Sequence, residues 1–181
     1  MEGFSHADRR LAFALGRTAA RDLLARATGE MPAYVRLDIA ADGAPVAPEH
    51  YVSIAHTGRG AAVLGVAAVA SVPVGIDAEV VAVRRPDLWK RLLAPTEYDV
   101  LNALGGPTDG TQTLLWALKE AVLKGQRTGF RAGARSIVLS VPEGTAEEGH
   151  VRAVADQSGA WEVAYAHLGS AVVTVAWQEA P

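Results

Sequence analysis

The chain of 181 residues, half hydrophobic and one-fifth charged, is long enough for one compact domain or two small halves around a shared core. Its formal net charge of −3 argues against nucleic acid as a partner, and no apolar run approaches the span of a transmembrane helix. The absence of cysteine excludes disulfides and thiolate zinc sites and fits a reducing cytoplasm, and the first ten residues lack the order of a signal peptide.

Across residues 8–27, Leu11, Leu15, Ala19 and Leu23 recur at i, i+4 and predict a helix that Gly29 closes. Arg10, Arg17 and Arg21 share one face of it. Residues 34–39 alternate as a strand, and Asp42-Gly43 makes a turn. Three further strands are predicted over residues 52–54, 61–69 and 72–80, with breaks at Thr57-Gly58-Arg59-Gly60 and at Ser71. His56, beside the first break, suits a structural role. The alternative is a site where imidazole, hydroxyl and backbone N–H groups hold phosphate oxygens.

In the strand over residues 72–80, Val74, Ile76, Ala78 and Val80 share one face, and Gly75, Asp77 and Glu79 the other. Two neighbouring carboxylates repel each other unless a cation lies between them or one takes a proton. Hard oxygen ligands beside a bare glycine suit Mg²⁺ and a phosphorylated substrate. The same alternation also suits a solvated strand face.

Residues 87–93 read as helical, and Thr96-x-x-Asp99 is a capping-box pattern for a helix that Gly105-Gly106-Pro107 stops. Thr108-Asp109-Gly110-Thr111 supplies caps for the helix on which the chain is organised, Trp116-Ala117-Leu118-Lys119-Glu120-Ala121-Val122-Leu123-Lys124-Gly125, with Gly125 suited to its C-cap. Leu114, Leu118, Ala121 and Val122 fall on one side of it; Trp116, Lys119, Glu120, Leu123 and Lys124 fall on the other. A face that mixes a large aromatic and a leucine with charges predicts contact with a second layer of protein, a ligand, or both. After residue 130 the chain reads as a β-meander, with strands over residues 136–141 and 151–155 around a polar loop. Trp161, Val163 and Tyr165, then Val173, Val175 and Trp177, alternate as core expected to pack on the central helix. His150 and His167 lack ligand spacing and read as structural.

Ser53-Ile54-Ala55-His56, Gly75-Ile76-Asp77-Ala78-Glu79, Leu93-Ala94-Pro95-Thr96-Glu97-Tyr98 and Trp116 to Lys124 occur in that order. Together they resemble the 4′-phosphopantetheinyl transferases of the surfactin-synthetase-activating type, over residues 8–130. Three features depart from the family pattern. Ala44 stands where members commonly have a lysine that reaches coenzyme A, Ala55 stands where many have a serine, and the usual strand before the first helix is missing.

The resemblance implies an α+β pseudo-dimer of two similar helix-plus-antiparallel-sheet halves, residues 1–73 and 74–181, with the active site in the cleft between them. It implies transfer of the 4′-phosphopantetheine arm of coenzyme A to a serine of an apo acyl or peptidyl carrier protein, releasing adenosine 3′,5′-bisphosphate. Asp77, Glu79 and Glu120 would hold Mg²⁺, and Glu120 would take the serine proton directly or through water. Lys124 would neutralise phosphoryl charge. Lys119 would do the same or be exposed. His56 and Thr57 would hold the diphosphate, Arg10 would contact a phosphate, and Trp116 would be structural. Arg84, Arg85, Lys90 and Arg91 form a basic cluster suited to docking an acidic carrier domain or to ordinary solvation. A monomer in the cytoplasm, with no membrane or nucleic-acid partner, completes the expectation. A Mg²⁺-dependent diphosphate hydrolase and a non-catalytic module binding coenzyme A or carrier domains are the alternatives.

Overall fold

One helix, α4 (Asp109–Gly125), is buried on almost every side, with residues 111–115 and 117–123 shielded from solvent. Thr108 caps its start: the side-chain Oγ1 accepts from the Thr111 N–H at 3.0 Å. The structure, a computed structural model, describes residues 6–84, 87–127, 133–156 and 158–179. Among these residues no helix is long and apolar enough to cross a membrane.

The other elements are α1 (His6–Thr28), β1 (Asp38–Ile39), β2 (Pro45–Val46), β3 (Tyr51–Thr57), β4 (Leu64–Ala70) and β5 (Val74–Val80). After them come α2 (Leu88–Leu92), α3 (Tyr98–Ala103), β6 (Ile137–Leu139), β7 (Glu143–Gly144), β8 (Glu148–Ala155), β9 (Gly159–Leu168) and β10 (Ala171–Trp177). The architecture is α+β. An antiparallel sheet runs β5-β10-β9-β8-β6, with β7 beside β8, while β3–β4 and β1–β2 form separate pairs. The predicted meander is present as β8–β9–β10, with β6 folding back on β8. The strand expected over residues 34–39 shortens to β1, while Val35 and Leu37 are buried against α1.

The period-two reading of β5 gives its two faces correctly. Val74, Ile76 and Ala78 pack with Ala55, Ala68, Val173 and Val175, and Gly75 and Asp77 meet α4. On β10, however, Val173, Val175 and Trp177 face the β3–β4 side rather than α4, as the sequence had suggested. Val172 and Ala176 take the α4 face, where the Thr174 hydroxyl also donates to the Ala117 carbonyl at 2.8 Å. Trp161, Val163 and Tyr165 do pack on α4.

Two further expectations shift. The buried stripe of α1 is Ala12, Gly16, Ala20 and Leu24, one residue on from the predicted one, and Leu11 and Leu15 are 46% and 38% exposed. Small residues win because the helix presses on its strands: a Cβ on Gly65 would lie 2.5 Å from the Gly16 nitrogen. A leucine stripe could not come so near. The other shift concerns Gly125, which lies within α4 rather than capping it. A Cβ there would meet the Trp161 ring at 2.5 Å, and one on Gly75 would meet the Ala121 carbonyl oxygen at 1.9 Å. Both glycines are spent on close approach of helix to strand.

β3 joins β5 without a backbone ladder. The Ser53 hydroxyl accepts from the Ile76 N–H and the Thr57 hydroxyl from the Val80 N–H, each at 3.0 Å.

Gly75→Ala should therefore cost about 3 kcal/mol or abolish folding, since relief means moving the α4 backbone. Gly29→Ala meets no atom within 4 Å at its φ of 76° and should cost only about 1–2 kcal/mol. Urea denaturation of the two variants checks the difference.

Candidate active site

β5 and α4 bring Asp77, Glu120 and Lys124 into one cluster. Asp77 is 5% exposed, and its Oδ1 accepts from Lys124 Nζ at 2.6 Å. Its Oδ2 is buried with no hydrogen-bond partner, and so is Glu120 Oε1. Such orphaned acceptors are costly unless something cationic or protonated meets them. The electrostatics agree. Burial pushes the Glu120 carboxyl up to about 7, with repulsion from Asp77 and Glu79 adding to it and Lys124 opposing. Burial also raises Asp77, against the pull of Lys124.

Two carboxylate oxygens without partners suit Mg²⁺, which takes few protein ligands and fills its octahedron with phosphate and water. Among the described residues no three histidine, aspartate or glutamate side chains are grouped as a complete metal centre. The third predicted ligand, Glu79, is otherwise engaged: its Oε2 accepts from Arg84 Nη2 at 2.8 Å.

Arg84 is correspondingly no free docking charge. Its guanidinium is folded inward, 6.0 Å from the centre of the Trp116 ring, with Nε buried and unpartnered. Arg85 lies outside the described residues, while Lys90 and Arg91 are exposed on or beside α2.

Lys119 departs furthest from expectation. It is neither exposed nor turned to a ligand: it is fully buried, donating to Glu97 Oε2 at 2.6 Å and to the Leu92 carbonyl at 2.7 Å. Burial lowers its pKa, with Glu97 opposing. Glu97, also fully buried, accepts further from the Ala94 N–H at 2.6 Å and the Leu139 N–H at 2.8 Å. One carboxylate thus ties the α2–α3 loop, α4 and β6 together. The capping box expected at Thr96 is absent, and Glu97 stands at the start of α3 without a side-chain cap. Sequence reasoning met Glu97 only as part of Thr96-Glu97-Tyr98. Its signal was an acidic residue in an apolar stretch facing a lysine one helix away. Adjacent residues on a helix point about 100° apart, so pinning Lys119 to the α2–α3 side sends Glu120 to the β5 side.

The remaining predicted contacts are dispersed. His56 is exposed on β3, opposite Gly65. Thr57 is 7% exposed, and successive strand residues point to opposite faces, so its hydroxyl serves the joint to β5 instead of a shared phosphate. In the break beside His56, the Gly60 N–H donates to Asp8 Oδ1 at 3.1 Å. Arg10 is exposed on α1. A cleft of about 830 Å³ lies between residues 42–54 and the end of α4, and of the predicted ligand contacts only Lys124 lines it.

Between about pH 4.5 and 7 the folded protein holds on Glu120 a proton that the unfolded chain has released, so metal-free stability should fall as pH rises across that window. Glu120→Gln should flatten much of that fall and raise stability above neutral pH by up to about 3 kcal/mol. The Asp77 contribution persists in the variant. Urea unfolding with a chelator from acid to neutral pH checks this; an unchanged slope assigns the titration to another group. Lys119→Met, which strands a buried carboxylate, should cost about 3–5 kcal/mol, and Lys119→Met with Glu97→Gln should regain part of that loss.

A family model described as the 4′-phosphopantetheinyl transferase superfamily matches residues 73–176. A 4′-phosphopantetheinyl transferase of Bacillus subtilis is 31% identical over 142 residues, which cover 76% of this chain and 59% of the relative. The chain thus spans less than two thirds of that relative's length. The Gly-Ile-Asp-x-Glu stretch on β5 and the Trp116 to Lys124 helix that meets it both lie inside the matched region, and the chain belongs to the 4′-phosphopantetheinyl transferase superfamily.

Proposed function

We propose that the protein transfers the 4′-phosphopantetheine arm of coenzyme A to a serine hydroxyl of an apo acyl or peptidyl carrier protein, with Mg²⁺, releasing adenosine 3′,5′-bisphosphate. The observation that carries this reading is the pair of buried, unpartnered carboxylate oxygens on Asp77 and Glu120 beside the Lys124 ammonium. Family membership supports the same reaction.

Residues 1–73 and 74–181 act as two halves, each with a helix laid on antiparallel strands: α1 on β3–β4 and α4 on β5 and β10. The coenzyme occupies the cleft between them, whose wall includes residues of both. Asp77 and Glu120 would hold Mg²⁺, with Glu79 available to it only if its ion pair with Arg84 opens. Bound there, Mg²⁺ would neutralise charge on the diphosphate oxygens as the phosphorus is attacked.

The chain's own side chains do the rest. Lys124, at the boundary of cleft and carboxylate cluster, exchanges Asp77 for a phosphoryl oxygen and stabilises charge that builds on it. Glu120 takes the serine proton, directly or through water. His56, exposed on the α1 side of β3, contacts the diphosphate from the first half, and Arg10 a phosphate beyond it. The protein acts as a monomer in the cytoplasm.

The test is intact mass of an apo carrier protein after incubation with the protein, coenzyme A and Mg²⁺. The carrier should gain one phosphopantetheine; coenzyme A cleaved with an unmodified carrier would establish a hydrolase, and neither product would refute catalysis. Asp77→Ala and Glu120→Gln should abolish transfer. Lys124→Ala should lower it by about 10- to 100-fold, the worth of one charge-assisted contact.

A further inference from the structure

The backbone at Arg127 is left-handed, with φ of 59°. Gly125 cannot serve that turn, because Trp161 and Gly75 crowd it inside α4. The turn falls two residues later, where a glycine would relieve about 1–2 kcal/mol of strain. An arginine stands there instead, and a strained backbone at a residue lining a cleft points to use.

The Arg127 side chain, 44% exposed, reaches across the mouth of the 830 Å³ cleft to Asp42 Oδ1 at 3.5 Å. A pair so long and so wet is worth at most about 1 kcal/mol. Asp42 does not depend on it, since the same oxygen accepts from the Ala44 N–H at 3.0 Å. The other cation of the wall, Lys124, is held by Asp77 at 2.6 Å and belongs to the reaction end. Asp42 and Glu49 offset these two charges, so the cleft offers an anion no general attraction. An anion there needs one cation whose present partner is cheap to leave. Val46, Tyr51, Val74 and Leu123 supply apolar and aromatic wall for a nucleobase beside it.

We propose that Arg127 is a specificity-determining residue: it leaves Asp42 and donates to the 3′-phosphate at the nucleotide end of coenzyme A. This rests on the transferase reading of the cleft. The phosphate monoester is what separates coenzyme A from its dephospho form, so the arginine selects between two ligands that share every other group. The exchange breaks one weak ion pair and forms a charge-assisted, bidentate one.

The test is calorimetric titration of the full chain with coenzyme A and with dephospho-coenzyme A, in Mg²⁺ and without carrier. Arg127→Gly should weaken coenzyme A binding by about 10- to 100-fold and leave dephospho-coenzyme A hardly changed. Its unfolding midpoint should hold or rise, because glycine suits the backbone. Arg127→Lys should recover part of the selectivity. Equal losses for both ligands, or no loss for either, would overturn the assignment and leave the transferase reading intact. A wild-type chain that binds neither ligand would refute that reading itself, and the role of Arg127 with it.

Discussion

Everything at the centre of this molecule depends on α4 lying against β5 with no side chain between them. The helix backbone at Ala121 occupies the space that a Cβ on Gly75 would need, and the Trp161 ring occupies the space that a Cβ on Gly125 would need. Asp77 follows Gly75 by one strand repeat, and Glu120 and Lys124 flank the Ala121 turn that touches it. Two largely buried carboxylates and a partly exposed ammonium are thereby forced together. There their mutual energies are several times those at the surface. A helix standing one side chain further off would leave room for water and for ordinary pKa values.

Neighbouring residues on that helix carry opposite kinds of burial. Lys119 and Glu97 form a closed system: the ammonium and both carboxylate oxygens have partners, in each other and in the Leu92, Ala94 and Leu139 backbones. Glu120 and Asp77 form an open one, each with an oxygen facing no partner. A fully satisfied buried ion pair is a structural specifier. Buried carboxylate oxygens left without a partner mark a candidate site. The first fixes the rotation of α4, so the second is aimed where it is.

Much of this was legible in the sequence where a period or a cap decides it. The two faces of β5, the Thr108 cap, the meander and the placing of Trp161 on α4 follow from spacing alone. The failures share one cause. The sequence shows a residue's chemistry but not which neighbour reaches it first. Leu11 and Leu15 look like a core stripe until Gly16 and Gly65 bring small residues together. Gly125 looks like a cap until Trp161 claims its space. Lys119, Thr57 and Arg84 look like ligand contacts until Glu97, the Val80 N–H and Glu79 take their polar groups. The hollow between residues 42–54 and the end of α4 could not be read from spacing, because its two walls are far apart in the chain.

The joint between β3 and β5 has an implication of another kind. Strands normally adhere through backbone groups, which no substitution except proline can remove. Here Ser53 and Thr57 supply the acceptors for the Ile76 and Val80 amides, so two short side chains stand in for a ladder. Register between the β3–β4 pair and the main sheet is thus written in mutable chemistry. A drift of serine to alanine, silent on most surfaces, would here loosen one sheet from the other. Evolution can tune how firmly the two sheets clasp without touching a single residue of the carboxylate cluster.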